Sequence, residues 1–499
     1  MKNRLTIYYT SDIHGYLYAD DFCNPGPCRR GLYSMHFPKD GNTLVIDGGD
    51  FLQGTPLTDY CAKHGTASPL IGAMNEREYD FLTLGNHDFS YGRKYLADTL
   101  NAIRAECLCA NIDDARGELP LFPWKIKTME NGLRVGIVGL CTDWVPRWEK
   151  PENLKDFSFL PPLERAREAV RQMRAAGADV LIGLYHGGTE RDLATGRVLT
   201  ETDEHIACRL CEELPFDLLL TAHQHAEIPY GRWGKTHIVQ VGSNAAKYAL
   251  ITMDETGRFS SELREPETPY VPTGERLETY KALGRYLDTC VGRVTRPFIP
   301  GEKADMALHG SVLADLLNAV QKEATGAALS CTGLPNTLRP FGEEVTLRDI
   351  MVNYPYANTL VVRLITGEIL KKALERSASY FSMGPDGKAR VSEEFLVPCE
   401  RHFNYDYFSG VQYVFDLRRP VGDRVTEMNV NGKTVRPEDT FELVMNSFRS
   451  GGAGGFEFYL NCPVIRENRS DFSTLILEYL QRHSPAELPE ENNYRCIES

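Results

Sequence analysis

The sequence predicts an α/β fold in two domains, and three observations carry that expectation. At 499 residues the chain is longer than one hydrophobic core usually sustains, so it divides. From residue 1 to about 265, short apolar runs rich in β-branched residues alternate with amphipathic stretches, the pattern of strands and helices in an α/β domain. After about residue 262 the composition changes: REPETPYVPTGE is rich in proline and charge and reads as a linker.

Taken in order, each apolar run of the first half ends in a polar cluster. RLTIYYT leads to Ser11-Asp12-Ile13-His14-Gly15, NTLVIDGGD ends at Asp50, and FLTLGNHD at Asn86 and His87. DVLIGLYHGG presents His186, DLLLTAHQH presents His223 and His225, and two further strands follow at THIVQVGSN and ALITMD. Between them LERAREAVRQMRAAG has helical spacing, with Gly177 as its stop. Past the linker, ERLETYKALGRYLDTC reads as a connecting helix. The second domain starts near Val291, with helices at SVLADLLNAVQKEATG and GEILKKALERSASYF, an apolar SCTGLP, and strands at NTLVVRLI, VQYVFDL and FELVMNS. The polar HSPAELPEENNYRCIES reads as an extended tail. The expected boundaries are a first domain over 1–265, linker and connecting helix over 266–290, a second domain over 291–485, and a tail over 486–499.

Bulk composition excludes several function classes. No run of about 18 apolar residues exists, so no membrane span is expected. The N-terminal MKNRLTIYYTSD enters a strand pattern directly and lacks an apolar signal core, which makes the cytoplasm the expected compartment. Thirteen cysteines, an odd and scattered set, do not form a disulfide framework; Cys23 and Cys28 read as loop thiols, Cys208 and Cys211 as a helix face. A formal charge of −14 excludes extended binding to a nucleic acid backbone. It leaves room for a small anionic substrate, because bound divalent cations reverse the local sign. No oligomeric state is indicated.

Ligands of α/β domains gather beyond the carboxyl ends of strands, where five of the twelve histidines fall. Asp12 and His14 are two apart and project from one face, as are His223 and His225. Carboxylate, amide and imidazole donors in one place suit Mn, Zn, Fe or Ni better than Ca or Mg. One ion leaves donors unused. Two divalent ions roughly 3.5 to 4 Å apart, bridged by one carboxylate, use them all and form a common device for hydrolysing phosphate esters. The spacing assigns Asp12, His14 and His225 to one ion and Asn86, His186 and His223 to the other, with Asp50 as the bridge. His87 follows a ligating asparagine, so it is expected to point into the site without necessarily ligating, with the task of stabilising the transition state or protonating the departing alkoxide. Asp88 reads most simply as a helix cap.

In this order, D-x-H, G-D, G-N-H-D, H-G and A-H-x-H resemble the calcineurin-like metallophosphoesterases. The two-domain layout narrows the resemblance to the 5′-nucleotidase and 2′,3′-cyclic-nucleotide phosphodiesterase family, and it extends from residue 4 to about 482. The resemblance implies a β-sandwich flanked by helices, joined through a linker helix to a smaller α/β domain that binds the nucleotide base. It also implies hydrolysis of cyclic, 3′- or 5′-nucleotide phosphoesters by a metal-held hydroxide. A broader phosphatase, a nucleotide-sugar or dinucleotide hydrolase, and an inactive nucleotide-binding protein are the alternatives. Many 5′-nucleotidases place an aspartate three residues after the His87 position; here Ser90 stands there, as in the cyclic phosphodiesterase and 3′-nucleotidase branch.

In the second domain the resemblance matches Tyr356 and Phe448 to the pair that stacks on the base. Asn358 lies beside Tyr356, and a glycine loop at 451–455 follows Phe448. Arg339 and Arg449 are candidate anion partners.

Overall fold

The computed structural model describes residues 4–20, 22, 28–200, 202–356, 358–397, 399–488 and 493–498. The chain divides into two units, Met1–Tyr280 and Lys281–Ser499. The break falls inside the Gly274–Leu287 helix, the segment that reads as a connector.

In the first unit, two sheets share one core. Seven strands run in the order Phe259–Arg264, Tyr248–Met253, Leu5–Thr10, Thr43–Asp47, Phe81–Leu82, Glu106–Leu108 and Leu121–Phe122. Six others run in the order Glu227–Trp233, Thr236–Val241, Leu218–Thr221, Val180–His186, Arg134–Cys141 and Trp124–Thr128. The strands that lead into the polar clusters pair in parallel; the outermost pairs are antiparallel, except that Leu121–Phe122 joins Glu106–Leu108 in parallel. Ile7, Leu44 and Ile46 of the first sheet bury with Ile137, Ile182, Leu184 and Leu220 of the second. Each such side chain stabilises the fold by about 1.5–3 kcal/mol relative to exposure. The inner strands are aliphatic without alternation because both faces are covered; VLIGLYH is buried at every residue. On the outer face of the second sheet, the Pro162–Ala175 helix packs Leu163, Ala166, Val170 and Met173 against Val138, Leu140 and Leu181. Gly177 follows with φ +84°, a left-handed turn that ends the helix and favours glycine.

The second unit contains a five-stranded sheet, ordered Asp406–Ser409, Leu329–Gly333, Thr440–Asn446, Leu360–Thr366 and Val464–Asn468. The Val312–Thr325, Gly367–Ala378 and Phe472–Arg482 helices share its apolar core. A four-stranded sheet corrects one expectation, because the described residues of 486–499 do not form an extended tail. Tyr494–Ile497 adds in parallel to Gln412–Asp416, and the Tyr494 ring stacks on Tyr413 at 5.0 Å and 4°. Ala486, fully buried, bridges to Val294. Tyr494 and Cys496 face the core while Arg495 faces solvent, so averaging over this polar segment hides a period of two.

The described cysteines other than Cys28 and Cys399 are free, and Cys208 and Cys211 lie on the Ala207–Glu213 helix. Cys23 lies outside the described residues. Among the described residues no helix is long and apolar enough to cross a membrane.

Candidate metal centre

The ends of four parallel strands of the first unit supply two groups of donors. Asp12, His14 and His225 each offer a ligand atom within 4.8 Å of the others, and so do Asp50, His186 and His223. The turns that aim them are unusual. Asp12, His14, Asp50, His223 and His225 have φ between +50° and +69°, making five of the eleven non-glycine residues with left-handed backbone among the described residues. Such conformations cost about 1–3 kcal/mol each and cluster where surrounding structure holds a site in place.

Two backbone carbonyls fix the imidazoles. His14 Nδ1 lies 2.7 Å from the Gln53 carbonyl, and His186 Nδ1 lies 2.7 Å from that of Gly48. A carbonyl only accepts, so each Nδ1 carries a proton, and in the neutral ring Nε2 holds the lone pair. Those lone pairs face other acceptors. His14 Nε2 is 3.1 Å from His225 Nε2, and His186 Nε2 is 3.2 Å from Asn86 Oδ1 and 3.3 Å from Asp50 Oδ2. Lone pairs converge like this when a proton or a cation lies between them. Electrostatics agree: burial pushes the His186 imidazole down, but the Asp50 carboxylate overcomes it, helped by Asp12, and holds it up at about 10. Asp50, despite burial, stays ionised well below the usual carboxylate range through His186 and His87. Two clusters of nitrogen and oxygen donors with carboxylates held charged fit divalent cations of the borderline class.

Asp88 does more than cap a helix. Its carboxylate accepts from the backbone N–H groups of Gly85, Asp50, Phe51 and Leu52 at 2.8–3.0 Å. It thereby ties the Asp50 turn to the Asn86 turn, although burial and the Asp50 charge raise it to about 6. His87 donates its backbone N–H to Asp50 Oδ1 at 2.7 Å. Its ring nitrogens make no hydrogen bond among the described residues, and its half-buried ring lies 5.5 Å from that of His14. Burial, with neighbouring imidazoles, brings His87 down to about 4.

The sequence reading passed over Glu204, whose Oε1 is 3.1 Å from His223 Nε2. It lies in an acidic loop with no strand-end motif, so no pattern marked it.

The second unit rearranges the substrate expectations. Phe448 faces Phe403, with centroids 6.2 Å apart and an angle of 70°, and both rings are partly exposed. Tyr356 instead packs against the core and meets Tyr354 edge-on at 5.5 Å, so the ring opposite Phe448 is Phe403. Next to it, Asn404 carries a buried amide oxygen with no hydrogen-bond partner. Asn358 donates to the Tyr354 hydroxyl. Arg449 is 3% exposed and forks onto Asp406 at 2.9 and 3.0 Å, with further bonds to the Phe403 and Ala453 carbonyls. That saturation makes it a buttress of the glycine loop, which corrects its expected role as an anion partner. Arg339 pairs with Asp349 at 2.8 Å. The signal that could have found Phe403 is the HFNYDYF run, whose aromatic density instead reads as core.

Comparison with known proteins agrees with this geometry. Residues 5–227 match the calcineurin-like phosphoesterase family, and residues 291–460 match the 5′-nucleotidase C-terminal domain. The trifunctional nucleotide phosphoesterase protein YfkN of Bacillus subtilis is 24% identical over 98% of this chain, which spans 38% of that longer protein. A 2′,3′-cyclic-nucleotide 2′-phosphodiesterase/3′-nucleotidase of Haemophilus influenzae is 26% identical over 90% of this chain and 80% of its own length. Among solved structures, a Staphylococcus aureus protein described as a candidate 5′-nucleotidase, in complex with alpha-ketoglutarate, superposes with a TM-score of 0.90 and 29% identity, covering 99% of this chain and 100% of that one. With both domain models matched in order and the donor groups assembled, the chain joins a calcineurin-like phosphoesterase domain to a 5′-nucleotidase C-terminal domain.

Proposed function

We propose that the chain hydrolyses nucleotide phosphoesters, 2′,3′-cyclic diesters and 3′-monoesters foremost, with two divalent ions. Asp12, His14 and His225 hold one ion, Asn86, His186 and His223 the other, and Asp50 serves both. The observation that carries this reading is the convergence of carbonyl-fixed imidazole lone pairs and ionised carboxylates in two adjacent groups. Bound divalent ions supply an acidified water and neutralise phosphoryl charge.

The chain's own residues do the rest. Gln53 and Gly48 carbonyls keep His14 and His186 in the ligating tautomer. His87, kept neutral by burial, turns a free imidazole N–H toward the phosphoryl or leaving oxygen and stabilises charge there by hydrogen bonding. Ser90 donates to Glu149 at 2.8 Å, so no carboxylate grips the His87 ring from that position, in keeping with the cyclic phosphodiesterase branch. In the second unit Phe403 and Phe448 frame the base, each stacked base being worth about 1–3 kcal/mol. The names of relatives in this branch support the substrate class.

A panel of 2′,3′-cyclic, 3′- and 5′-nucleotides with p-nitrophenyl phosphate, assayed in manganese and then EDTA, tests the reading. The expected result is highest kcat/KM on cyclic and 3′ substrates, abolished by EDTA. Equal turnover of p-nitrophenyl phosphate points to a broader phosphatase, and activity that survives EDTA removes the metals from the account.

A further inference from the structure

Resting on the two-ion reading, the structure allows one assignment beyond the donor set. His223 belongs to two clusters: it lies with Asp50 and His186, and also with Glu204 and His205. An imidazole has two nitrogens, and one is identified, since His223 Nε2 is 3.1 Å from Glu204 Oε1. We propose that Glu204 is a positioning residue that accepts the Nε2–H of His223 and so directs the Nδ1 lone pair to the ion shared with Asp50 and His186. This is the reverse of His14 and His186, which give Nδ1–H to backbone carbonyls. A carboxylate acceptor orients a ligating imidazole and raises its basicity more than a carbonyl does.

The placement of Glu204 is built by its surroundings. Its backbone carbonyl accepts from Thr142 Oγ1 and Tyr185 Oη, each at 3.2 Å. Tyr185 precedes His186 on the same strand, and Thr142 N–H donates to the His186 carbonyl at 2.9 Å. The next residue, His205, accepts from Gly188 N–H through Nδ1 at 3.3 Å, joining the loop to the segment just after His186. Trp148 stacks over the His223 ring at 5.4 Å and 27°, fixing the face while the carboxylate fixes the in-plane direction. A third cation among Glu204, His205 and His223 is disfavoured: His223 cannot give Nε2 to that ion and Nδ1 to the other unless it becomes an imidazolate.

The test uses the full chain stripped of metal, as wild type, Glu204→Ala and Glu204→Gln. Manganese is titrated calorimetrically, cobalt by its visible absorption, and thermal unfolding is followed without metal. The wild type is expected to bind two ions. In Glu204→Ala one site weakens about 10–100-fold and the other stays within about two-fold, the cobalt band of the weakened site changes, and the metal-free midpoint does not move. Glu204→Gln, which keeps an acceptor but lacks the charge, falls between and restores the cobalt band. Unchanged affinities in Glu204→Ala overturn the proposal alone. Weakening of both sites with a lower metal-free midpoint also overturns it, in favour of a role in holding the loop. Three ions in the wild type falling to two overturn it in favour of a third cation. A wild type that binds no ion removes the two-ion reading and this assignment with it.

Discussion

The two units hold buried charge in opposite ways. In the first, Asp12, His14 and Asp50 from left-handed turns, and His186 from a strand end, turn acceptors toward one another. In the second, Arg449 closes on Asp406, Arg339 on Asp349, and Arg363 on Ser450 and the Cys462 carbonyl. Buried groups that satisfy each other hold a fold in one arrangement, whereas groups that need a third party mark chemistry. The contrast teaches where to look: in a chain rich in charge, convergence without mutual satisfaction is the informative event.

The largest effect should come from Asp50→Asn. Losing the charge proposed to serve both ions is expected to lower kcat/KM by about 10²–10³-fold, with a matching loss of bound manganese by metal analysis. Retained metal and activity would erase the distinction between the units. Asp406→Asn is its counterpart in the second unit. It leaves the buried Arg449 charge uncompensated, so a stability loss of about 3–5 kcal/mol in denaturant unfolding is expected, while manganese stoichiometry stays the same. The smallest effect sharpens the comparison within the second unit. Phe403→Ala or Phe448→Ala should raise KM for nucleotides by about 5–150-fold, the equivalent of about 1–3 kcal/mol of stacking. Tyr356→Ala should leave KM in place and lower the unfolding midpoint, since its ring packs on the core. A KM effect at Tyr356 equal to that at Phe403 would restore the pairing expected from sequence.

Those outcomes also bear on what the sequence makes legible. Strands that end in DIH, GGD, GNHD, YHGG and AHQH announce themselves, because apolar runs stop at donors whose chemistry is rare in combination. The Gly177 helix stop is likewise visible, as it needs positive φ. Phe403, Glu204 and the Tyr494–Ile497 strand are not visible, for physical reasons. An aromatic at a binding surface and one that fills a core have the same side chain, and only their packing partners separate Phe403, which faces Phe448, from Tyr356, which lies against the apolar core. Glu204 meets His223 from a loop whose composition is that of any solvated turn. The final strand gains its order from pairing with Gln412–Asp416, a partner some 80 residues away that local composition does not reveal. Asp88 lies between these cases: its capping role is legible, but its grip on the Asp50 turn depends on two loops meeting in space.

The left-handed turns under Asp12, His14, Asp50, His223 and His225 also shape how this catalyst could decay. Branched and bulky side chains are shut out of that backbone region, whereas asparagine, aspartate, histidine and glycine are tolerated. Mutational drift at these positions is therefore channelled toward asparagine and glycine, which preserve the turn while discarding the charge. A descendant that had lost its chemistry would keep its outline, and only the titratable atoms would betray the silence.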